Sequence, residues 1–403
     1  MMTADRTMAS RGTIGILTGG GDVPGLNPAI RALTLRALKE GYRVLGIRNG
    51  WSGLVDAIPD PRADNSAHVQ ELTAELVNRA ARTGGTLLHT SRTSPGSLPD
   101  QRLPDHLRGR YPAGKTHDVT PDVLKVLEFL GIDVLVPIGG DDTLSYAQRM
   151  NLEGFKVVAI PKTMDNDVPG TDYCIGFSTC VTRTIDLANR LRTSAGSHER
   201  FLVIEVFGRY AGFTALVPTL AGAADRCLIP EHPFDMERLA EVLVADRKSH
   251  PSKYAVVLVS EGAHMTEDAG MTFESTERDQ YGHMKLGGIG ERVSLRLKEL
   301  SAALNNGRSI STVTQRLGYL VRCGEPDALD AIVPTAFGNL ALELILGGSF
   351  GRLVCVRKGL YGNVPLDVVS GKKVVDVERC YDTRRLRPAY TTFANQPLLI
   401  TGT

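Results

Sequence analysis

No sign of charge dominates this chain: 46 Lys and Arg stand against 45 Asp and Glu, a formal net charge of +1 over 403 residues. That balance excludes the electrostatic footprint by which nucleic-acid-binding domains and peripheral membrane proteins hold anionic surfaces. Any anion must therefore be caught by local arrangement. The six cysteines (Cys174, Cys180, Cys227, Cys323, Cys355, Cys380) show neither CxxC spacing nor a zinc-like cluster with histidine. Dispersed buried thiols are the expectation, rather than disulfides or a metal centre. The opening MMTADRTMASRGTIGILTGGG holds no apolar stretch long enough for a signal peptide. No run approaches the ~18 apolar residues of a membrane-spanning helix, and tandem repeats and low-complexity tracts are missing. These absences lead to the expectation of a cytoplasmic protein that binds neither nucleic acid nor membrane.

What is present is a soluble balance, 42% hydrophobic and 23% charged, in a chain long enough for two ordinary domains. Seven short runs read as buried strands: Thr13–Thr18, Arg43–Ile47, Asp133–Ile138, Lys156–Pro161, Phe201–Phe207, Tyr254–Ser260 and Arg352–Arg357. They are nearly continuous in Val, Ile and Leu, which suits parallel strands covered on both faces. Amphipathic helices lie between them, as in NPAIRALTLRALKEG, where Pro28 fits a first turn and Gly41 a stop. Repeated βα units imply doubly wound α/β sheets, and so many strands argue for two of them. Ser94–His117, rich in Pro, Gly and Arg, and the polar His264–Lys285 interrupt the pattern and read as long loops.

Ligands of open α/β sheets sit beyond the carboxyl ends of strands, and four motifs look placed to reach that position. Gly19-Gly20-Gly21-Asp22 follows the first strand and precedes a helix starting near Asn27. Backbone N–H groups and a helix N-terminus there make an anion site, although a tight turn explains such glycines equally well. Gly84-Gly85 leads into Thr90, Ser91 and Arg92; hydroxyls beside an arginine fork suit phosphate, while taken alone Arg92 would more ordinarily form a surface ion pair. The third motif is VPIGGDDTLSYA, with Asp141 and Asp142 directly after its glycines. Aspartate at that place is also a favoured helix N-cap. The fourth, IPKTMDNDVPG, groups Lys162, Thr163, Asp165, Asn166 and Asp167 after a strand. A lysine with two carboxylates is the kit of phosphoryl transfer: a base for the attacking hydroxyl, oxygens for Mg²⁺, and a cation for the transferring group.

With these four, SHERFLVIEVFGRYAGF and GYLVRCGEPDALD, the chain resembles the phosphofructokinase family from Gly12 to about Gly351. The resemblance implies two Rossmann-like α/β domains with the active site in the cleft between them. It assigns residues 1–176 plus about 322–375 to the phosphoryl-donor domain, and 177–321 plus about 376–403 to the fructose 6-phosphate domain. It implies phosphorylation of the sugar 1-hydroxyl, with Asp165 as general base, Thr163 and Asp167 beside it, and Asp141 binding Mg²⁺. Gly20 and Arg92 would contact the donor. Phe207, Gly208 and Arg209, with phenylalanine in place of the family's methionine, and Glu261, Tyr319 and Arg322 would hold the sugar phosphate. Arg200 resembles an arginine that reaches a neighbouring subunit's sugar phosphate, so a homodimer or homotetramer with shared sites is implied. A second such arginine has no clean counterpart; Arg308 and Arg316 are both candidates, neither in register.

The family divides by donor, and pyrophosphate-dependent members carry a second aspartate, as at Asp142, and a lysine, as at Lys162. ATP places a third phosphate where pyrophosphate has ended. A carboxylate about 4 Å from it costs roughly 4 kcal/mol at an effective dielectric of about 20, on the order of a thousandfold in affinity. The expectation is a pyrophosphate–fructose 6-phosphate 1-phosphotransferase of glycolysis and gluconeogenesis, reversible because the two phosphoryl donors lie close in potential. The competing readings are an ATP-dependent 6-phosphofructokinase, a non-catalytic regulatory subunit of the same fold, and a preference for a longer sugar phosphate such as sedoheptulose 7-phosphate.

Overall fold

Val134–Gly139 and Phe201–Val206 are buried at every position, as largely apolar runs require when both faces of a strand are covered, with Glu205 the one charged residue among them. A computed structural model describes residues 11–268, 270–278, 284–390 and 392–396. In it these two strands lie inside two separate sheets. The larger has seven strands in the order Leu360–Pro365, Arg352–Arg357, Val158–Pro161, Val134–Gly139, Thr13–Thr18, Arg43–Ile47, Val69–Glu71. Its five central strands are parallel, with Ile14 level with Val134 on one side and Val44 on the other. Its two outer strands run antiparallel. The smaller sheet is parallel throughout, in the order Thr312–Arg316, Phe201–Val206, Ala255–Ser260, Arg226–Leu228.

All seven expected strands are present, with ends that match or shift by up to two residues. The four strands of these two sheets that were not anticipated lie at their edges. Val69–Glu71, Thr312–Arg316 and Leu360–Pro365 are only partly covered, so their sequences carry no continuous apolar run, and Arg226–Leu228 is three residues long.

Both expected loops contain paired strands among their described residues. Within Ser94–His117, Leu98–Pro99 pairs antiparallel with Thr116–His117. Leu98, Leu103 and Leu107 are buried in the core beside Trp51 and Tyr146. Three leucines four and five residues apart thus turn a Pro- and Gly-rich stretch into a strap fastened to the larger sheet's helices. In the second stretch, Phe273–Arg278 pairs antiparallel with Met284–Leu286. Five cysteines are buried as expected, while Cys323 is exposed; all six are free.

Helix Ala328–Leu346 has the length and composition to cross a membrane, yet here it packs in the core. Its Gly338 lies so close to helix Leu26–Lys39 that a Cβ would stand 2.6 Å from the Ala29 carbonyl oxygen.

Candidate active site

In the larger sheet the chain leaves Thr13–Thr18 toward Arg43–Ile47 on one side, while Val134–Gly139 and Val158–Pro161 lie on the other. A crevice opens beyond the carboxyl ends of strands at such a reversal, and three of the four motifs begin there. The Gly19 N–H donates to the Ile138 carbonyl (3.0 Å) and the Gly20 N–H to that of Ser91 (2.8 Å). The Thr90 hydroxyl returns a bond to Gly20 (2.7 Å), so Arg92 is carried to the same rim. Gly20 adopts φ 79°, and a Cβ there would stand 3.0 Å from Lys162 Nζ. At Gly21 a Cβ would meet Arg322 Nη2 at 2.2 Å. These glycines are therefore close-approach residues, with two cations packed against their backbone.

Helix Asp141–Leu152 starts at the third turn, and its N-cap is Gly140, with no side chain capping it. The capping role considered for Asp142 is not used. Asp141 and Asp142 occupy the first turn, both open to solvent. Asp141 keeps an open face to water, but the crowding cleft walls, then Asp167 and Asp142, raise its carboxyl to about 7.

The fourth motif is a tight turn pinned from beneath. Asn166, fully buried at φ 56°, donates to the Asp172 carbonyl (3.0 Å) and accepts from the Cys174 N–H (2.8 Å). Asparagine tolerates this left-handed conformation better than most residues. The Thr163 hydroxyl accepts from the Asp165 N–H (3.2 Å) and donates to the Asp167 carboxylate. Lys162 is almost fully buried. Burial, then Arg322 and Arg92, lower its ammonium to about 8. Asp165 is held well above the usual carboxylate range by burial first, then by Asp167 and Glu261. Its Oδ1 is buried without a hydrogen-bond partner. Asp167 is also raised by burial, against the opposing pull of Thr163, Lys373 and Lys162.

The smaller sheet supplies the facing wall. Phe207, Gly208 and Arg209 follow Phe201–Val206, and Glu261 follows Ala255–Ser260. The Glu261 N–H is bound to the Val206 carbonyl (2.9 Å). Gly208, at φ 119°, leaves no room for a Cβ, which would lie 2.8 Å from the Ala211 carbonyl. The Arg209 N–H donates to the Asp165 carboxylate, so the two walls meet at the expected base.

Arg322 sits at the junction rather than open to the cleft. Its Nε and Nη2 donate to the Asp22 carbonyl (3.0 and 2.5 Å), and Nη2 lies 3.2 Å from Asp22 Oδ1. The rings of Phe207 and Tyr319 flank its guanidinium at 5.9 and 5.6 Å. Tyr319 itself is exposed.

Arg200 is not brought to this cleft. It precedes Phe201–Val206, so the whole strand, roughly 20 Å at ~3.3 Å per residue, separates it from Phe207. Arg308 is exposed at the same end, beside the strand that pairs Thr312 with Phe201. Arg316 is half-buried, its Nε 3.2 Å from the buried Glu205 carboxylate.

Three residues support the site without having been given a role in the sequence reading. Asn166 is one. Asp330 is fully buried and accepts from the Tyr173 hydroxyl, the Gly176 and Thr179 N–H groups and the Thr179 hydroxyl. It thereby fastens helix Ala328–Leu346 to the chain entering helix Phe177–Ser197. Lys373 is buried, donates to the Thr171 carbonyl (2.7 Å), and is lowered to about 8 by burial.

The arrangement pairs a cation-lined phosphate cradle with a buried, proton-seeking carboxylate, which is the equipment of phosphoryl transfer to a hydroxyl. A model of the family "Phosphofructokinase" matches residues 13–345. The chain is 36% identical over 369 residues to the pyrophosphate–fructose 6-phosphate 1-phosphotransferase of Dictyoglomus thermophilum, covering 90% of this chain and 94% of that one. It is 35% identical over 345 residues to ATP-dependent 6-phosphofructokinase 3 of Streptomyces coelicolor, covering 85% and 90%. The solved pyrophosphate-dependent phosphofructokinase from Marinobacter aquaeolei superposes with a TM-score of 0.69 at 18% identity, over 96% of this chain and 97% of that one. That likeness concerns the fold alone. Relatives at this level of identity carry both donor names.

Proposed function

The chain belongs to the phosphofructokinase family, and from that premise we propose that its phosphoryl donor is pyrophosphate. The observation that carries this reading is Asp142. Its carboxylate is exposed in the first turn of helix Asp141–Leu152, makes no capping bond, and follows directly on the Gly139-Gly140 turn. A donor that ends at its second phosphate avoids it. One that continues meets a like charge worth roughly 4 kcal/mol at about 4 Å.

In the forward direction Asp165 takes the proton of the fructose 6-phosphate 1-hydroxyl. A carboxylate held above its ordinary range is the stronger acceptor for it. The hydroxyl oxygen forms a bond to the nearer phosphorus of pyrophosphate. The bridging P–O bond breaks, and the departing phosphate keeps the electron pair. Lys162 and Arg92 spread the charge that develops on the transferring and leaving groups.

Mg²⁺ suits this site as a guest of the phosphates rather than of a protein cage. Among the described residues no group of three ligating side chains could hold a metal by itself. Asp141 nonetheless offers an open carboxylate in an environment with excess negative charge. One or two carboxylates plus substrate oxygens and water is how Mg²⁺ is usually held, and it would neutralise phosphate charge there.

Arg200 and Arg308, at the far end of the smaller sheet, are free to serve a second copy's sugar site only in a homo-oligomer. A monomer by analytical ultracentrifugation would remove that part of the reading.

The deciding experiment assays fructose 6-phosphate phosphorylation with each donor and Mg²⁺. Turnover with pyrophosphate and little with ATP is expected; strong ATP turnover without pyrophosphate turnover overturns the reading and favours the ATP-dependent alternative.

A further inference from the structure

After Leu366–Ser370 the chain crosses from the larger sheet to the smaller one, and it passes behind the turn that carries Asp165. Leu366 and Val369 are still buried in the larger sheet's core, and the Ser370 hydroxyl donates to Gln148 Oε1 (3.2 Å). By Val375 the chain has reached the other side. Its N–H donates to Glu231 Oε1 (2.7 Å), which also accepts from the Gly212 N–H (2.9 Å) at the head of helix Phe213–Leu220. Between these anchors Lys372 is exposed, while Lys373 is only 5% exposed. The Lys373 ammonium donates to the Thr171 carbonyl (2.7 Å) and stands 5.4 Å from the centre of the Phe213 ring. Thr171 belongs to the support of the acidic turn, because the next residue, Asp172, supplies the carbonyl that holds Asn166 (3.0 Å). Phe213 closes the FGRYAGF motif of the facing wall. One buried cation thus touches the supports of both walls. A buried ammonium is costly unless other charges answer it. Burial lowers Lys373, and Cys174, Asp172 and Asp167 oppose that. Burial raises Asp167, and of the two lysines that oppose it Lys373 comes before Lys162.

We propose that Lys373 is a positioning residue for phosphoryl transfer: its buried charge, set between the Thr171 carbonyl and the Phe213 ring, holds the turn of Asp165 and Asp167 in place against the wall of Phe207 and Arg209. The inference rests on Asp165 being the base, as read above, and it holds for either donor. Without the ammonium the Thr171 carbonyl loses this donor, and the two carboxylates repel with one cation fewer beside them. Misplacing a reacting group by ~1 Å costs on the order of a hundredfold in rate. Arg92, Lys162 and Tyr319, read as holding the phosphates, keep their own supports, so the loss falls on turnover and not on binding.

The test is Lys373→Met, which keeps an apolar stem and removes the charge. Lys373→Gln stands beside it in case the methionine variant does not fold, Lys373→Arg returns the charge, and Lys372→Met is the exposed neighbour. Fructose 6-phosphate phosphorylation is followed at pH 7 with Mg²⁺ and whichever donor the unmodified protein uses. In both neutral variants kcat should fall by more than about tenfold, with KM for each substrate within about threefold of the parent. Lys373→Arg should recover most of the lost kcat, and Lys372→Met should match the parent. A fall in kcat of less than about tenfold, a loss expressed in KM with kcat kept, or an arginine variant no better than the methionine one overturns the proposal. So does loss of the fold in both neutral variants, since the lysine would then serve stability alone. The base reading beneath it fails by a different result, an undiminished kcat in Asp165→Asn.

Discussion

Replacing Asp165 by Asn should cost activity and add stability at the same time. The amide has nearly the volume of the carboxylate and keeps an oxygen for the Arg209 N–H, so the contact across the cleft survives. What it lacks is a lone pair able to take a proton, and Asp165 Oδ1 is the buried oxygen with no other partner. Loss of a positioned general base typically removes about 10²–10⁴ in rate, or roughly 3–5 kcal/mol of transition-state stabilisation. It should fall on kcat, with KM for fructose 6-phosphate changing little, because the proton moves only in the transition state. The stability argument has the opposite sign. The Asp165 carboxyl is raised by burial, Asp167 and Glu261. A carboxyl whose folded pKa lies above its unfolded one makes the ionised fold less stable at neutral pH. The neutral amide removes that cost, so the variant should melt at a higher temperature than the parent. Steady-state kinetics and a thermal melt at pH 7 check both halves. A fall in kcat of less than about tenfold refutes the base assignment; a lower melting temperature refutes the electrostatic account.

Two further predictions follow from the same geometry. Lys162 loses its charge as pH rises through about 8, so kcat/KM for pyrophosphate should decline above that pH. Lys162→Met should be slow and flat across the range, and an unchanged alkaline limb in that variant would clear Lys162 of the role. Gly338→Ala places a Cβ 2.6 Å from the Ala29 carbonyl oxygen and 2.9 Å from the Leu33 nitrogen. The two helices must part, at an overpacking cost of about 1–3 kcal/mol. Alanine's better helix propensity returns at most about 1 kcal/mol. Urea denaturation should show a net loss; equal or greater stability would mean that the helices separate freely.

The central strands were legible because burial on both faces imposes a composition: no polar residue can occupy Val134–Ile138 or Phe201–Ile204 without losing its hydrogen bonds to water. The chemistry was legible for a related reason. Groups that must act together after a strand end are carried by one turn, so Lys162, Thr163, Asp165 and Asp167 lie within six residues. Edge strands such as Thr312–Arg316 were not legible, because a half-wet strand tolerates polar residues. The strap over Trp51 and Tyr146 was hidden behind its prolines and glycines, since three leucines specify it only once a core exists for them to enter.

The sequence by itself thus determined the α/β class, the family and the candidate residues for the chemistry, because each is encoded by local spacing and by which side chains can be buried. Only the tertiary structure decided how those residues are held. Arg322 turns to Asp22 across 300 positions. Asp330 gathers Tyr173, Gly176 and Thr179 from about 150 positions away, and Asp165 is given an N–H from the opposite wall. Such partners are set by where two sheets meet in space, and no local pattern along the chain records that distance.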